Sequence, residues 1–513
     1  MTVERARAHS LADIPRRSAA RFPDKTAVVH RDVRLTFAEF DGVVDRVAAA
    51  LQAAGLGPGD TLVVLSHNCW QFPVLDFAAA RVGVVFVPVN FMLTGGEVGY
   101  ILRDCGADAF VVEDALLPVA EKALAEHEVR VRAVIGEHVP SGWRDFAEWS
   151  GTDGRPRPVD VGDDDVIRIM YTSGTESRPK GAMLTSRSLM WQYVSCIVTG
   201  GMESSDVELH AMPLYHCAQL DNFLSTDLYL GATSVILDRP DPAAMLRAIE
   251  AERVTNLFAP PTVWISLLRE LGSTDITSLR KGYYGASALP VEVLGEMKRR
   301  LPEMRFWNFY GQTEMASLAT ALGPEDQESR PGSAGRAALN VETRVVDDAD
   351  RPLPAGEVGE IVHRSPHATV GYHGKPEQTA DAFRGGWFHS GDLGYLDEEG
   401  YLWVVDRKKD MIKTGGENVA TREVEEALYT VDGVAEAAVV GVPHPRWIEA
   451  VTAVVVAVPG SGLTERDVIE GCRRVLAGFK VPKSVVFADS LPKNPSGKIL
   501  KRELRERLSP RAD

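Results

Sequence analysis

The chain has 513 residues, of which 45% are apolar, 25% charged and 7% aromatic. This is a globular composition that excludes disordered, collagen-like and coiled-coil architectures. Its 56 Lys and Arg against 72 Asp and Glu give a net charge of −16, which argues against wrapping nucleic acid but leaves local anion sites open.

At about 150 residues per domain the length predicts about three domains or subdomains. Cys69, Cys105, Cys196, Cys217 and Cys472 are scattered without CxxC spacing, so neither a disulfide framework nor a thiolate zinc site is expected. The N-terminal segment lacks an apolar run, and stretches such as 451–458 fall far short of the roughly 20 residues that span a bilayer. A soluble, reduced, cytoplasmic protein without a transmembrane segment is expected.

In chain order, strands at 27–30 and 35–37 precede a helix over 38–54, where Phe40, Val43, Val44, Val47 and Leu51 recur at 3–4 spacing before Gly55. A strand at 61–66, a helix around 71–82 and a strand at 83–90 follow. Later pairs are strand 232–237 with helix 241–251, and strand 254–258 with helix 261–271. This alternation predicts α/β architecture: parallel sheets covered by helices. From about 332 to 405 short strands are cut by Gly and Pro, which predicts a small antiparallel sheet or barrel. After the charged run 406–410, a helix over 421–430, strands at 434–440 and 450–457, a helix over 464–476, a strand at 484–487 and a helix over 500–508 predict a small α+β domain. The expected division is therefore 1–408, with α/β sheets to about 331 and the β-rich subdomain after them, and 409–513.

The sharpest chemical segment is 166–185, an apolar strand ending at Tyr171 followed by a loop of hydroxyl and glycine residues and then Pro179-Lys180-Gly181. Hydroxyls, backbone N–H groups and a lysine are what a polyphosphate needs. The Walker A spacing is absent, so a P-loop fold does not follow. From composition alone the segment is equally a polar turn between that strand and a helix starting near Thr185. Further segments are "YYGASALP" (283–290), "FWNFYGQTE" (306–314), "WFHSGDLG" (387–394), "DRKKDMIKTGGENV" (406–419) and "PKNPSGKILKREL" (492–504).

In this order these motifs resemble the adenylate-forming superfamily of acyl-CoA synthetases, luciferases and adenylation domains, over nearly the whole chain from about Phe37 onward. One departure is Ser177, where that family usually has Gly; another is Ile448, where many relatives have Gly. The resemblance implies a large N-terminal domain and a small mobile C-terminal domain that swings about Lys409. It also implies ATP, Mg²⁺ and coenzyme A as reactants. Gly285, Ala286 and Ser287 would lie against adenine, Tyr310 would stack on it, and Asn308 would bond its exocyclic amine. Asp392 and Arg407 would hold the ribose. Thr172, Ser173, Gly174, Thr175 and Lys180 would face the phosphates, with Gly311 and Thr313 in the adjoining loop. Glu314 is the expected Mg²⁺ ligand, and Lys498, Thr175, Glu314 and His216 are the expected catalytic groups. Lys413, Gly415, Gly416, Glu417 and Trp447 would serve coenzyme A.

His216 stands where amino-acid-activating relatives generally carry Asp, so an apolar carboxylic acid is expected, with His216, Leu220, Phe223 and Leu224 lining its pocket. A medium- or long-chain fatty acid is the leading expectation. An aryl-acid ligase and an acyl-AMP ligase that loads a carrier protein are the alternatives. A luciferase-like oxidase and an inactive binding homologue are further readings, the last opposed by retention of Thr175, Glu314, Asp392 and Lys498. No nucleic-acid partner is expected, and a homodimer is left open.

Overall fold

The computed structural model describes all residues except 1, 2, 8, 126, 173–177, 286–288, 290, 415, 416, 495–497 and 510–513. Two large sheets form its body. One runs in the order Arg144–Asp145, Val131–Ile135, Ala109–Glu113, Thr61–Leu65, Val85–Val89, Val166–Thr172 and Lys180–Thr185, parallel except for its last pair. The other has nine strands, parallel from Arg305–Tyr310 through Lys281–Gly285, Asn256–Phe258, Val207–His210 and Thr233–Ile236 to Thr26–His30, with antiparallel strands at both edges.

Burial explains the sequence pattern. Every residue of Thr61–Leu65 and of Val85–Val89 is buried, so these strands read as unbroken apolar runs rather than alternating ones. The helix Phe37–Ala53 starts at a capping box, in which Glu39 N–H donates to Thr36 Oγ1 at 3.2 Å and Thr36 N–H to Glu39 Oε2 at 2.8 Å. Helix Gln71–Val82 ends at Gly83, whose φ of 76° is left-handed.

One local expectation is corrected. The polar loop after Val166–Thr172 does not lead directly into a helix. It joins that strand to Lys180–Thr185 as an antiparallel pair, and the helix Ser186–Gly200 follows, capped by Thr185. The Gly181-Ala182-Met183 run is too short to announce a strand by periodicity.

The β-rich stretch is a four-stranded antiparallel sheet of Glu342–Val346, Gly359–Arg364, Phe388–Leu396 and Leu402–Arg407. From Ile412 onward the chain builds cores of its own. The hairpin Val434–His444/Ile448–Ala457 packs Val439, Val451 and Val455 against Val424, Leu428, Val468 and Cys472 on one face. On the other it packs Ala438, Val440 and Val454 against Leu491 and Leu504. Asp406 secures the join, accepting from Thr421 N–H at 2.5 Å and Thr421 Oγ1–H at 2.8 Å. Among the described residues no helix is long and apolar enough to cross a membrane.

Candidate functional site

The carboxyl ends of the parallel strands, where ligands bind in open α/β sheets, converge on a cavity of about 850 Å³. Strand Arg305–Tyr310 delivers Tyr310 to it, and strand Phe388–Leu396 sets Asp392 behind Tyr310, Gln312 and Arg407, which line it. Asp392 is 3% exposed and is held from three sides. Tyr310 Oη–H donates to its Oδ2 at 2.7 Å, Gln312 Nε2 to the same oxygen at 3.1 Å, and Arg407 Nε lies 2.8 Å from Oδ1. The carboxylate raises the guanidinium pKa, and burial, reinforced by Asp392, pushes the Tyr310 phenol far up. Asp392 takes these contacts on its two oxygens, and a carboxylate with about four lone-pair sites keeps room for ribose hydroxyls.

Asn308 Nδ2 donates to the Ser333 carbonyl at 2.9 Å, which turns the amide so that Oδ1 is left as the acceptor an exocyclic amine requires. Two glycines are sterically obligatory here. A Cβ at Gly285 would meet Phe309 O at 2.2 Å, and one at Gly311 would meet Ser317 O at 1.8 Å.

Glu314 lines the cavity, and its Oε1 accepts from Tyr372 Oη–H at 2.8 Å. One phenol leaves the carboxylate with lone pairs for a hard cation, so the donor set fits Mg²⁺. A second group is different. Glu208, His210 and Asp227 are fully buried with ligand atoms within 4.8 Å of one another. Met212 N–H donates to Gln219 Oε1 at 3.3 Å, so Gln219 Nε2 donates to His210 Nδ1 at 2.8 Å. Nδ1 is thus taken up by Gln219, Nε2 lies 3.3 Å from Asp227, and burial raises the Glu208 pKa.

Lys498 enters the cavity from the C-terminal unit on a turn closed by Asn494, whose Oδ1 accepts from Lys498 N–H at 2.8 Å. Solvent in the cleft reaches it, yet the Arg407 charge and the surrounding protein push its pKa down to about 8. His216 faces the same cavity. Burial, and then the Lys498 charge, lower its pKa to about 4. Its Nδ1 accepts from Ala218 N–H at 3.1 Å, so the ring is neutral with its proton on Nε2.

Thr172, Lys180, Tyr310, Gly311, Thr313, Glu314, Arg407, Lys409 and Lys498 all line this one cavity. Ser173, Gly174, Thr175, Ala286, Ser287, Gly415 and Gly416 lie outside the described residues. Lys413, Glu417 and Trp447 do not line the cavity. Lys413 N–H donates to Glu449 at 2.7 Å, and Trp447 stacks on His444 with centroids 4.3 Å apart.

The acid-pocket expectation needs correction. Leu220, Phe223 and Leu224 are each 0% exposed and belong to the cores behind the wall. Residues 220–224 form a π-turn, whose wider winding rotates Asn222 to the cavity in place of the leucines. The cavity is lined there instead by Tyr215, Cys217, Ala218, Asn222, Phe258, Phe309, Ser317 and Leu318. Gln312 and Tyr372 were also missed. Gln312 sits inside the "YGQTE" string that was singled out, whereas nothing local marks Tyr372.

The family model described as AMP-binding enzyme matches residues 15–373, and that of the AMP-binding enzyme C-terminal domain matches 423–498. A feruloyl-CoA synthase of Amycolatopsis sp. is 40% identical over 98% of this chain and 100% of its own length. A long-chain-fatty-acid–CoA ligase of Mycobacterium tuberculosis is 34% identical over 93% of this chain and 94% of its own. An anthranilate CoA ligase solved with anthranoyl-AMP superposes with a TM-score of 0.92 at 27% identity, covering 98% of this chain and 97% of that one.

Proposed function

Because the chain belongs to the AMP-binding enzyme family, we propose that it activates an aryl carboxylic acid as the acyl adenylate and passes it to coenzyme A. Acid–CoA ligation is what several relatives are named for, while others are named as a fatty acid–[acyl-carrier-protein] ligase and an amide bond synthetase; the aryl acid is our reading. Relatives at similar identity use both aryl and fatty acids, so the choice rests on the pocket.

The carrying observation is the closed aromatic wall beside His216. Phe223, where a channel toward the core would run, is stacked between Phe258 at 4.7 Å and Phe309 at 5.8 Å. With Leu220 and Leu224 also in the cores, the wall suits a flat ring and blocks a long chain in that direction.

In the first half-reaction the acid's carboxylate attacks the α-phosphate of ATP and pyrophosphate leaves. Asp392 and Arg407 orient the ribose, Tyr310 supports the base, and Thr172 and Lys180 border the phosphates. Lys498 offsets the charge of the two anions that meet. Glu314 would hold Mg²⁺, which would supply charge neutralisation to the triphosphate. Neutral His216 places no fixed charge beside the acid, so the pocket neither pairs an ammonium nor repels a carboxylate. In the second half-reaction the coenzyme A thiol displaces AMP. The unit beyond Lys409 turns to withdraw Lys498 and present the 413–417 loop and Trp447.

The test is pyrophosphate release over a panel of aryl and fatty acids, with and without coenzyme A. Aryl acids should give the higher kcat/KM, and AMP release should require coenzyme A. A preference for long-chain acids overturns the aryl reading, and product formed only with a carrier protein overturns the acceptor.

Glu314→Gln should lower pyrophosphate release by about 10- to 100-fold and raise the Mg²⁺ concentration for half-maximal rate, because an amide oxygen lacks the ligand charge. An unchanged Mg²⁺ requirement in a folded variant would remove Glu314 from the metal's surroundings.

A further inference from the structure

Resting on the aryl-acid reading, we propose that Asn222 and Ser317 form a hydrogen-bonding floor to the acid pocket. This floor selects aromatic acids that carry an acceptor oxygen at the ring end remote from the carboxyl group. Both residues line the cavity while remaining only 4% and 8% exposed. Asn222 follows His216 by six residues, a helical rise on the order of 9 Å. Both ends of this stretch, His216 and Asn222, line the cavity that Lys498 also lines.

The hydrogen bonds define what the floor offers. Asn222 Nδ2 donates to Ser317 Oγ at 3.2 Å, and Asn222 Oδ1 accepts from Gln192 Nε2 at 2.6 Å. Gln192 is itself fully buried and also donates to Cys196 Sγ at 3.2 Å, so this network sets the amide orientations. The amide's acceptor is consumed. What remains is the second N–H of Asn222, a donor, and the Ser317 hydroxyl, which also neighbours the Cys217 thiol. They stand between the rings of Phe258 and Phe309 and the side chain of Leu318.

The backbone is bent to put Ser317 there. Ala316 has φ of 52° and Ser317 of 120°, conformations that L side chains rarely adopt and that cluster at ligand sites. Gly311 makes the bend possible, since any Cβ there would collide with Ser317 O.

A bare ring entering this pocket strips water from the Asn222 N–H and leaves it unpaired. A ring hydroxyl or methoxy oxygen pairs it. Sites built this way reject the analogue that lacks the polar atom more strongly than apolar pockets reject a missing methylene.

The experiment compares kcat/KM for pyrophosphate release within matched pairs, 4-hydroxycinnamate against cinnamate and 4-hydroxybenzoate against benzoate. The oxygenated acid should be favoured by about 10- to 100-fold in at least one pair. In Asn222→Leu the ratio should fall to about 1 or invert. Ser317→Ala, which leaves the backbone demand unchanged, should reduce it partway and serves where Asn222→Leu fails to fold. Aromatic turnover with ratios near 1 in both wild-type pairs, or a ratio that persists in folded variants, overturns the floor and leaves the aryl reading standing. Turnover of fatty acids without any aromatic acid overturns both.

Discussion

Lys498→Ala should lower acyl-adenylate formation by about 10²–10³-fold, equivalent to about 2.7–4 kcal/mol, and leave thioester formation from supplied acyl-AMP within a few-fold of wild type. The charge it supplies is needed only where carboxylate and α-phosphate meet. A group that stabilises that encounter alone acts on the transition state rather than on binding. Its surroundings make the same residue pH-sensitive. Arg407, and then burial, bring its pKa down to about 8, and the protonated form is the useful one. Adenylation should therefore decline as pH rises through about 8, while the thiol step, run with Lys498 withdrawn, should not follow that profile. Supplying each enzyme first with acid and ATP, then with acyl-AMP and coenzyme A, separates the two steps. Equal loss of both half-reactions in folded Lys498→Ala would contradict a two-pose mechanism.

Much of this architecture was legible in the sequence because buried parallel strands leave a strong trace. Thr61–Leu65 and Val85–Val89 are covered on both faces and read as continuous apolar runs between helices. Tyr310, Asp392, Arg407 and Lys498 were legible for another reason. Tyr310, Asp392 and Lys498 each stand beside a glycine that a loop needs, Arg407 sits in a charged run, and their order matched a known set of motifs. What failed to show is what depends on distant partners or irregular winding. Tyr372 supports Glu314 from 58 residues away. The acid wall does not follow the apolar residues because 220–224 is wound as a π-turn, and Asn222 lines the cavity where Leu220, Phe223 and Leu224 do not.

Arg168 was equally unreadable, since an arginine in an apolar strand gives no sign of where its charge is answered. It is 0% exposed, with Asp76 Oδ2 at 2.5 Å and Asp221 Oδ1 as its other partner. Tyr193 Oη–H also donates to Asp221 Oδ1, at 3.2 Å. Strand Val166–Thr172 runs from Arg168 into the phosphate-loop region, and Asp221 precedes Asn222, so this triad ties the nucleotide side of the site to the acid side.

Arg168→Met should cost about 3–5 kcal/mol of stability, because it leaves two carboxylates facing each other without a cation. The loss should depend on pH in a definite direction. Burial, reinforced by Asp76, raises the Asp221 pKa to about 6 even with Arg168 beside it. Removing the guanidinium moves both carboxyls higher still. The folded variant then binds more protons than its unfolded chain across the acid-to-neutral range, so its stability falls as pH rises there. The urea-midpoint gap to wild type should be smaller at pH 5 than at pH 8. Replacing the whole cluster, Arg168→Met with Asp76→Leu, Asp221→Leu and Tyr193→Phe, should recover most of the lost stability, as apolar substitution of buried ion pairs often does. It should not recover adenylation, because the polar link between the two halves of the site is gone. A single mutant as stable as wild type at pH 8, or a gap that widens toward pH 5, would show that the charges of Asp76 and Asp221 are answered by something other than Arg168.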